Sequence, residues 1–214
     1  MPELYMLILA GPVILFSLVL HEFAHGLVSV KLGDPTPKIQ GRLSLNPLVH
    51  LDPLGTLMLI LSFINGVGFG WAKPVQINPN YYKNAIKGSL LVAVAGPTAN
   101  LMLALFFGLP IRLFSKGFLN LPINLEFFLL IIKLCYIGVM LNLSLAFFNL
   151  LPIPPLDGSK VVRYFLRGRA LDVYNRVENY GFYILIIFLL VFRDGFSYYF
   201  STMIQFFVYL ITGT

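Results

Sequence analysis

Two histidines stand four residues apart in an apolar run, with a glutamate directly after the first: His21-Glu22-Phe23-Ala24-His25. Residues i and i+4 share one face of a helix. Two imidazoles placed so can hold one Zn²⁺, and the glutamate beside the first can reach a water on that ion. The chain has 3 histidines, and this pattern takes two of them. The competing reading is a polar patch buried in a helix bundle. It is disfavoured because three ionisable groups within one turn of an apolar helix are expensive to keep, and such groups mark functional sites.

Two histidines leave a catalytic zinc short of a ligand, since such sites use three protein ligands and an open position. The acids are few. Glu3 lies at the N-terminal tip, Asp34 and Asp52 in the loop after the first apolar run, and Glu126 at the start of a later one. Asp172, Glu178 and Asp194 fall in loops or at run ends. Asp157 remains, in Asn149-Leu-Leu-Pro-Ile-Pro-Pro-Leu-Asp157-Gly158, where Pro152, Pro154 and Pro155 stop a helix and leave extended backbone. The alternative for Asp157 is an ordinary Asp-Gly turn with a helix cap.

The elements that must position these groups are membrane spans. Of the 214 residues 58% are hydrophobic and 11% charged, and mean hydropathy is +0.83. Soluble domains carry about a quarter charged residues, so the composition indicates an integral membrane protein. Apolar stretches run over 4–30, 89–111, 125–151, 179–192 and 196–211, with a shorter one at 54–70. The fold expected is all-α and polytopic, with about five to six transmembrane helices. A single membrane-embedded domain over 1–214 is expected, its core at about 4–165 and a C-terminal helical hairpin at about 179–211. The alternating patterns at Gly41–Leu45 and Ala72–Pro79 predict a small β-hairpin or sheet at the membrane surface. An unwound substrate segment could add a strand to Gly41–Leu45.

The net charge of +6 does not point to nucleic acid; in a membrane protein it reports loop orientation and contact with anionic lipid. Basic residues follow the first run (Lys31, Lys38, Arg42), precede residue 89 (Lys73, Lys83, Lys87) and follow Asp157 (Lys160, Arg163, Arg167, Arg169, Arg176). The assignment that puts all three loops in the cytoplasm places the N-terminus outside. Both flanks of 54–70 are then on one side, so that stretch is expected to be re-entrant. Two crossings, 89–111 and 125–151, return Asp157 to the depth of His21 and His25. No basic region precedes the first run, so no cleavable signal peptide is expected. Cys135 is the one cysteine and is expected to pack as a small apolar residue.

His21–His25, the Asn149…Leu156-Asp157-Gly158 segment and the apolar background together resemble the site-2 protease family of intramembrane zinc metalloproteases. The loop around Asn46-Pro47, His50, Asp52-Pro53 and Gly55 is similar too, as is Gly96-Pro97-Thr98-Ala99-Asn100. The resemblance spans about 10–165 and keeps the elements in order. It implies one zinc on His21, His25 and Asp157, Glu22 as general base, and Asn149 positioning the substrate or polarising its carbonyl. It further implies hydrolysis of peptide bonds in membrane-spanning substrate proteins. No PDZ or CBS module fits this length, so a minimal form is implied, and so compact a form suggests a prokaryotic plasma membrane with the site toward the cytoplasm. The alternatives are a membrane metal-binding or transport protein, or a catalytically silent scaffold. A transporter would not need Glu22 and would spread its ionisable groups along a path.

Among the other polar residues, His50 and Asp52 read as structural partners within their loop, with ligand orientation the lesser reading. Asn100 and Asn142 lie in apolar runs and are expected to hydrogen-bond between helices. Trp71, Tyr81 and Tyr82 read as an interfacial anchor.

Overall fold

A computed structural model describes residues 2–64, 73–118 and 124–213. Nine α-helices are present among the described residues: α1 (Pro2–Lys31), α2 (Thr36–Ile39), α3 (Pro53–Ile64), α4 (Ala85–Ser115), α5 (Leu125–Asn149), α6 (Gly158–Phe165), α7 (Arg169–Glu178), α8 (Gly181–Val191) and α9 (Arg193–Thr212). No strand is found among them, so the expected hairpin or sheet is not formed.

The reason lies in competing local bonds. At 41–46 the Arg42 amide donates to the Pro37 carbonyl, and Asn46 turns its side chain onto the Leu48 amide to start a single 3-10 turn, Pro47–Val49. Of the alternating leucines, Leu43 packs over Gly26 of α1 while Leu45 is exposed, so no second strand is recruited. The described part of the second stretch, 73–78, is non-helical chain laid along α1 and paired with no other strand. Trp71 and Ala72 lie outside the described residues.

Among the described residues three helices are long and apolar enough to cross a membrane: Leu9–Lys31 within α1, α4 and α5. A fourth crossing is available if α8 and α9, bent by 89° at Phe192, count as one span. The expectation of five to six spans is therefore too high. α8 has 11 residues, about 17 Å of helix against a hydrocarbon core of about 30 Å.

Of the stretch 54–70, expected to be re-entrant, 54–64 are helical and 65–70 lie outside the described residues. The Lys73 amide donates to the His50 carbonyl at 2.8 Å, so the excursion between them begins and ends at one hydrogen bond. The chain returns to the place it left.

α4 is the central element and packs along both α1 and α5. Ala104 and Ile111 of α4, Cys135, Val139 and Leu143 of α5, and Ile204 and Val208 of α9 form the buried apolar core. Cys135 thus packs as an apolar residue. α9 is tied to α4 at its end: Arg112 donates to the Leu210 carbonyl at 2.8 Å, satisfying a carbonyl of the last turn.

Candidate metal centre

α1 brings His21 and His25 onto one face, both buried. Asp157 arrives 132 positions later, after the prolines that end α5. It sits at the start of α6 with helical φ/ψ of −59° and −38°, yet its side chain makes no capping bond to the helix. The Asp-Gly cap alternative is thereby excluded, because the carboxylate turns to the histidines instead. Its Oδ2 lies 3.3 Å from His21 Nε2 and 3.2 Å from His25 Nε2. The two Nε2 atoms are 3.0 Å apart.

The outer hydrogen bonds fix the tautomers. Asn100 donates its amide to Asn142 Oδ1 at 2.8 Å, so its own Oδ1 faces His21 Nδ1 at 2.6 Å. Asn142 in turn donates to Ser17 Oγ and to the Gly138 carbonyl, both at 2.9 Å. His25 Nδ1 lies 2.7 Å from the Val92 carbonyl. Both Nδ1 atoms face acceptors, so in the neutral rings both carry the proton there and both Nε2 atoms are free to present lone pairs. Two lone pairs and a buried carboxylate oxygen with no hydrogen-bond partner then converge on one point. Such an arrangement repels itself unless a cation sits among the three.

The spacing suits zinc. Donors held at about 2.0 Å around a tetrahedral ion stand about 3.3 Å apart, close to the 3.0, 3.2 and 3.3 Å observed. Gly96 of α4 forms the floor: a Cβ there would lie 2.4 Å from His25 Nε2 and 2.6 Å from His21 Nε2.

The centre opens into a cavity of about 400 Å³, lined by Glu22, Val75, Asn149, Asp157, Lys160 and Arg163 among others. Glu22 Oε2 accepts the Val75 backbone amide at 2.8 Å. Asn149 donates one amide hydrogen to the Leu145 carbonyl at 2.9 Å and lines the same cavity. Lys160 is paired with Glu178 of α7.

The sequence model of peptidase family M50 matches residues 125–192, which include Asn149 and Asp157. A Bacillus subtilis protein named "Putative zinc metalloprotease YwhC" is 37% identical over 179 residues, 84% of this chain and 77% of its own length. The chain belongs to peptidase family M50. This M50 peptidase is a zinc metalloprotease of the site-2 protease family and an integral membrane protein. "Putative zinc metalloprotease Rip2" of Mycolicibacterium smegmatis is 33% identical over 191 residues, 87% of this chain and 67% of its own. "Putative zinc metalloprotease MJ0611" of Methanocaldococcus jannaschii is 34% identical over 108 residues, half of each chain. No solved structure matches the chain.

Of the residues singled out in the sequence of the M50 peptidase, His21, Glu22, His25, Asn149 and Asp157 meet at one cavity. Asn100 and Asn142 bond between helices as expected. His50 and Asp52 do not join the site. His50 Nε2 bonds the Ser44 carbonyl at 2.8 Å, and Asp52 caps α3 through the Gly55 amide at 2.7 Å. Tyr82 is not an interfacial anchor: it is buried, its hydroxyl 2.7 Å from Ser29 Oγ, while Tyr81 is exposed. Ser17, Val92 and Val75 were not foreseen. Ser17 had a signal, being one turn before His21 on the same face; the other two act through their backbones and leave none.

Proposed function

We propose that this chain is an intramembrane endopeptidase that holds one zinc ion on His21, His25 and Asp157 and cuts membrane-spanning substrate proteins. The observation that carries the reading is the convergence of the Nε2 atoms of His21 and His25 and the Asp157 carboxylate in one cavity that Glu22 also lines. When bound, the ion supplies Lewis acidity to the scissile carbonyl and acidifies water.

The remaining work falls to side chains. With Oε2 held by the Val75 amide, Glu22 keeps Oε1 to take a proton from the attacking water and return it to the leaving amine. Asn149 keeps its second amide hydrogen for the substrate carbonyl as charge grows on its oxygen. Asn100 and the Val92 carbonyl hold the rings in the ligating tautomer. On this reading the whole chain acts as one catalytic domain in a prokaryotic plasma membrane, and the basic loops support a cavity that faces the cytoplasm.

The test uses detergent-solubilised protein and a membrane-spanning substrate, comparing wild type with Glu22→Gln. The expected result is cleavage by wild type only, with equal zinc content in both. A wild type that binds zinc but cleaves no membrane-spanning substrate would reject the reading in favour of a metal carrier.

A further inference from the structure

Asp34 is fully buried and outside the cavity, and nothing above gives it a part. Its Oδ2 accepts from Ser29 Oγ at 2.8 Å and from the Asn78 amide at 2.7 Å; its Oδ1 accepts the Thr36 amide at 2.9 Å. Burial pushes this carboxyl up, and the hydrogen bonds from Thr36, Asn78 and Ser29 overcome it, so it lies below the usual range. A carboxylate so held is a rigid anchor.

What it anchors is the segment that reaches the catalytic cavity. Asn78 is three residues after Val75, and Val75 gives its amide to Glu22. On α1 the matching points are Glu22 and Ser29, seven residues or nearly two full turns apart, hence on one face and about 10.5 Å distant. Three residues of extended chain cover about 10 Å. Asn78, at φ −122° and ψ 99°, is extended. The run from Val75 to Asn78 thus lies between two carboxylates, one buried and one in the cavity, and its extended reach matches the spacing of the two points on α1. Little slack separates the ends, so a displacement at Asn78 reaches Val75. Elsewhere the segment is held more loosely, by the Lys73 amide on the His50 carbonyl and by Gln40 on Gln76. Losing Asp34 would thus shift the segment without detaching it.

We propose that Asp34 is a positioning residue for Glu22: by fixing the Asn78 amide it fixes the Val75 amide, which pins one oxygen of Glu22 and leaves the other facing the cavity. The inference rests on Glu22 acting as general base. It extends that reading to a residue that touches neither substrate nor metal.

The experiment is a double-mutant cycle on the full chain loaded with zinc, using the same membrane-spanning substrate. Asp34→Asn leaves one acceptor oxygen where three donors met two, and sets an NH2 against the Asn78 or the Thr36 amide, so the carboxylate's grip is broken on one side. Val75→Pro removes the donor on Glu22 and leaves Asp34 untouched. Each is expected to lower kcat by about 10²-fold, the scale of a misplaced catalytic group, with KM held within about threefold. Zinc stoichiometry should stay at the wild-type value, because Asn100 and Val92 hold the ligands from α4. The double variant should lose little more than either single one, since both break the same restraint. Amide hydrogen exchange over residues 73–78 should quicken in Asp34→Asn.

Multiplying losses in the double variant, loss of zinc from Asp34→Asn, or unchanged kcat in Asp34→Asn would each overturn the proposal. If Val75→Pro does not fold, exchange in Asp34→Asn decides: faster exchange with lowered kcat upholds it, unchanged exchange overturns it. A wild type unable to cleave sinks the endopeptidase reading and this proposal with it. A wild type that cleaves beside additive variants sinks only this one.

Discussion

A Cβ placed on Gly96 would stand 2.4 Å from Nε2 of His25, within the space where the ligand atoms converge. Gly96 therefore leaves the candidate metal centre open by having no side chain. In a helix interior, Gly→Ala normally gains about 0.5–1 kcal/mol, so the change should not harm the backbone of α4. Gly96→Ala is expected to leave a folded protein with less than a tenth of the wild-type zinc, read by elemental analysis beside thermal unfolding in detergent. Full zinc occupancy in that variant would show that the floor is not where the structure puts it.

Asn100 offers a second handle. Its Oδ1 is the acceptor for His21 Nδ1, and its amide joins Asn142. Asn100→Leu removes the group that holds the ring in its ligating tautomer. Outer partners of this kind contribute about 10–100-fold to metal affinity. A loss of that size is expected in competition with a chromogenic chelator. Asn142→Leu, one step further out, should weaken zinc less and lower stability by about 1–3 kcal/mol through unpaired buried groups.

The legibility of the site followed from what kind of atom acts. His21, Glu22 and His25 were readable because helical spacing alone brings them together. Asp157 was readable because the other acids lie at the wrong ends of their runs and two crossings return it to depth. Val92, Val75 and Asn78 act through main-chain groups, which every residue has, so no spacing marks them. The failed strand at Gly41–Leu45 has a related cause. Alternation describes one face of a segment but not whether a partner backbone is free to pair, and here Pro37, Asn46 and Gly26 take the available contacts. The span count errs because it gives the apolar stretches at 179–192 and 196–211 a span each, whereas α8 alone, with 11 residues, is too short and the bent α8–α9 pair offers one crossing at most.

The lowered pKa of Asp34 has a sign that can be checked. A carboxyl whose folded value lies below its unfolded value binds fewer protons when folded, so it stabilises the fold above the unfolded pKa of about 3.9. That contribution is lost as pH falls through the folded value. The stability gap between wild type and Asp34→Asn should therefore be full at pH 6, begin to close below about pH 4, and shrink further at lower pH. Thermal unfolding of the zinc-free proteins across that range measures it. A gap that stayed constant with pH would mean that Asp34 is not ionised in the folded chain.

On the proposed ligand set, the metal and the Asp157 carboxylate are coupled in a way that a single variant can expose. In the wild type three acceptor atoms face one another, His21 Nε2, His25 Nε2 and Asp157 Oδ2, at 3.0 to 3.3 Å. Stripping the ion leaves that repulsion uncompensated. It also forfeits the binding linkage, worth about 2.7 kcal/mol at a ligand concentration 100 times Kd. Asp157→Asn replaces the charged acceptor with a group that can donate an N–H to an imidazole lone pair, which satisfies the centre without an ion. It should bind zinc poorly, yet a strong chelator should lower the wild-type melting temperature by several degrees and leave the variant's unchanged. Equal chelator sensitivity in the two proteins would place the ion elsewhere in the chain.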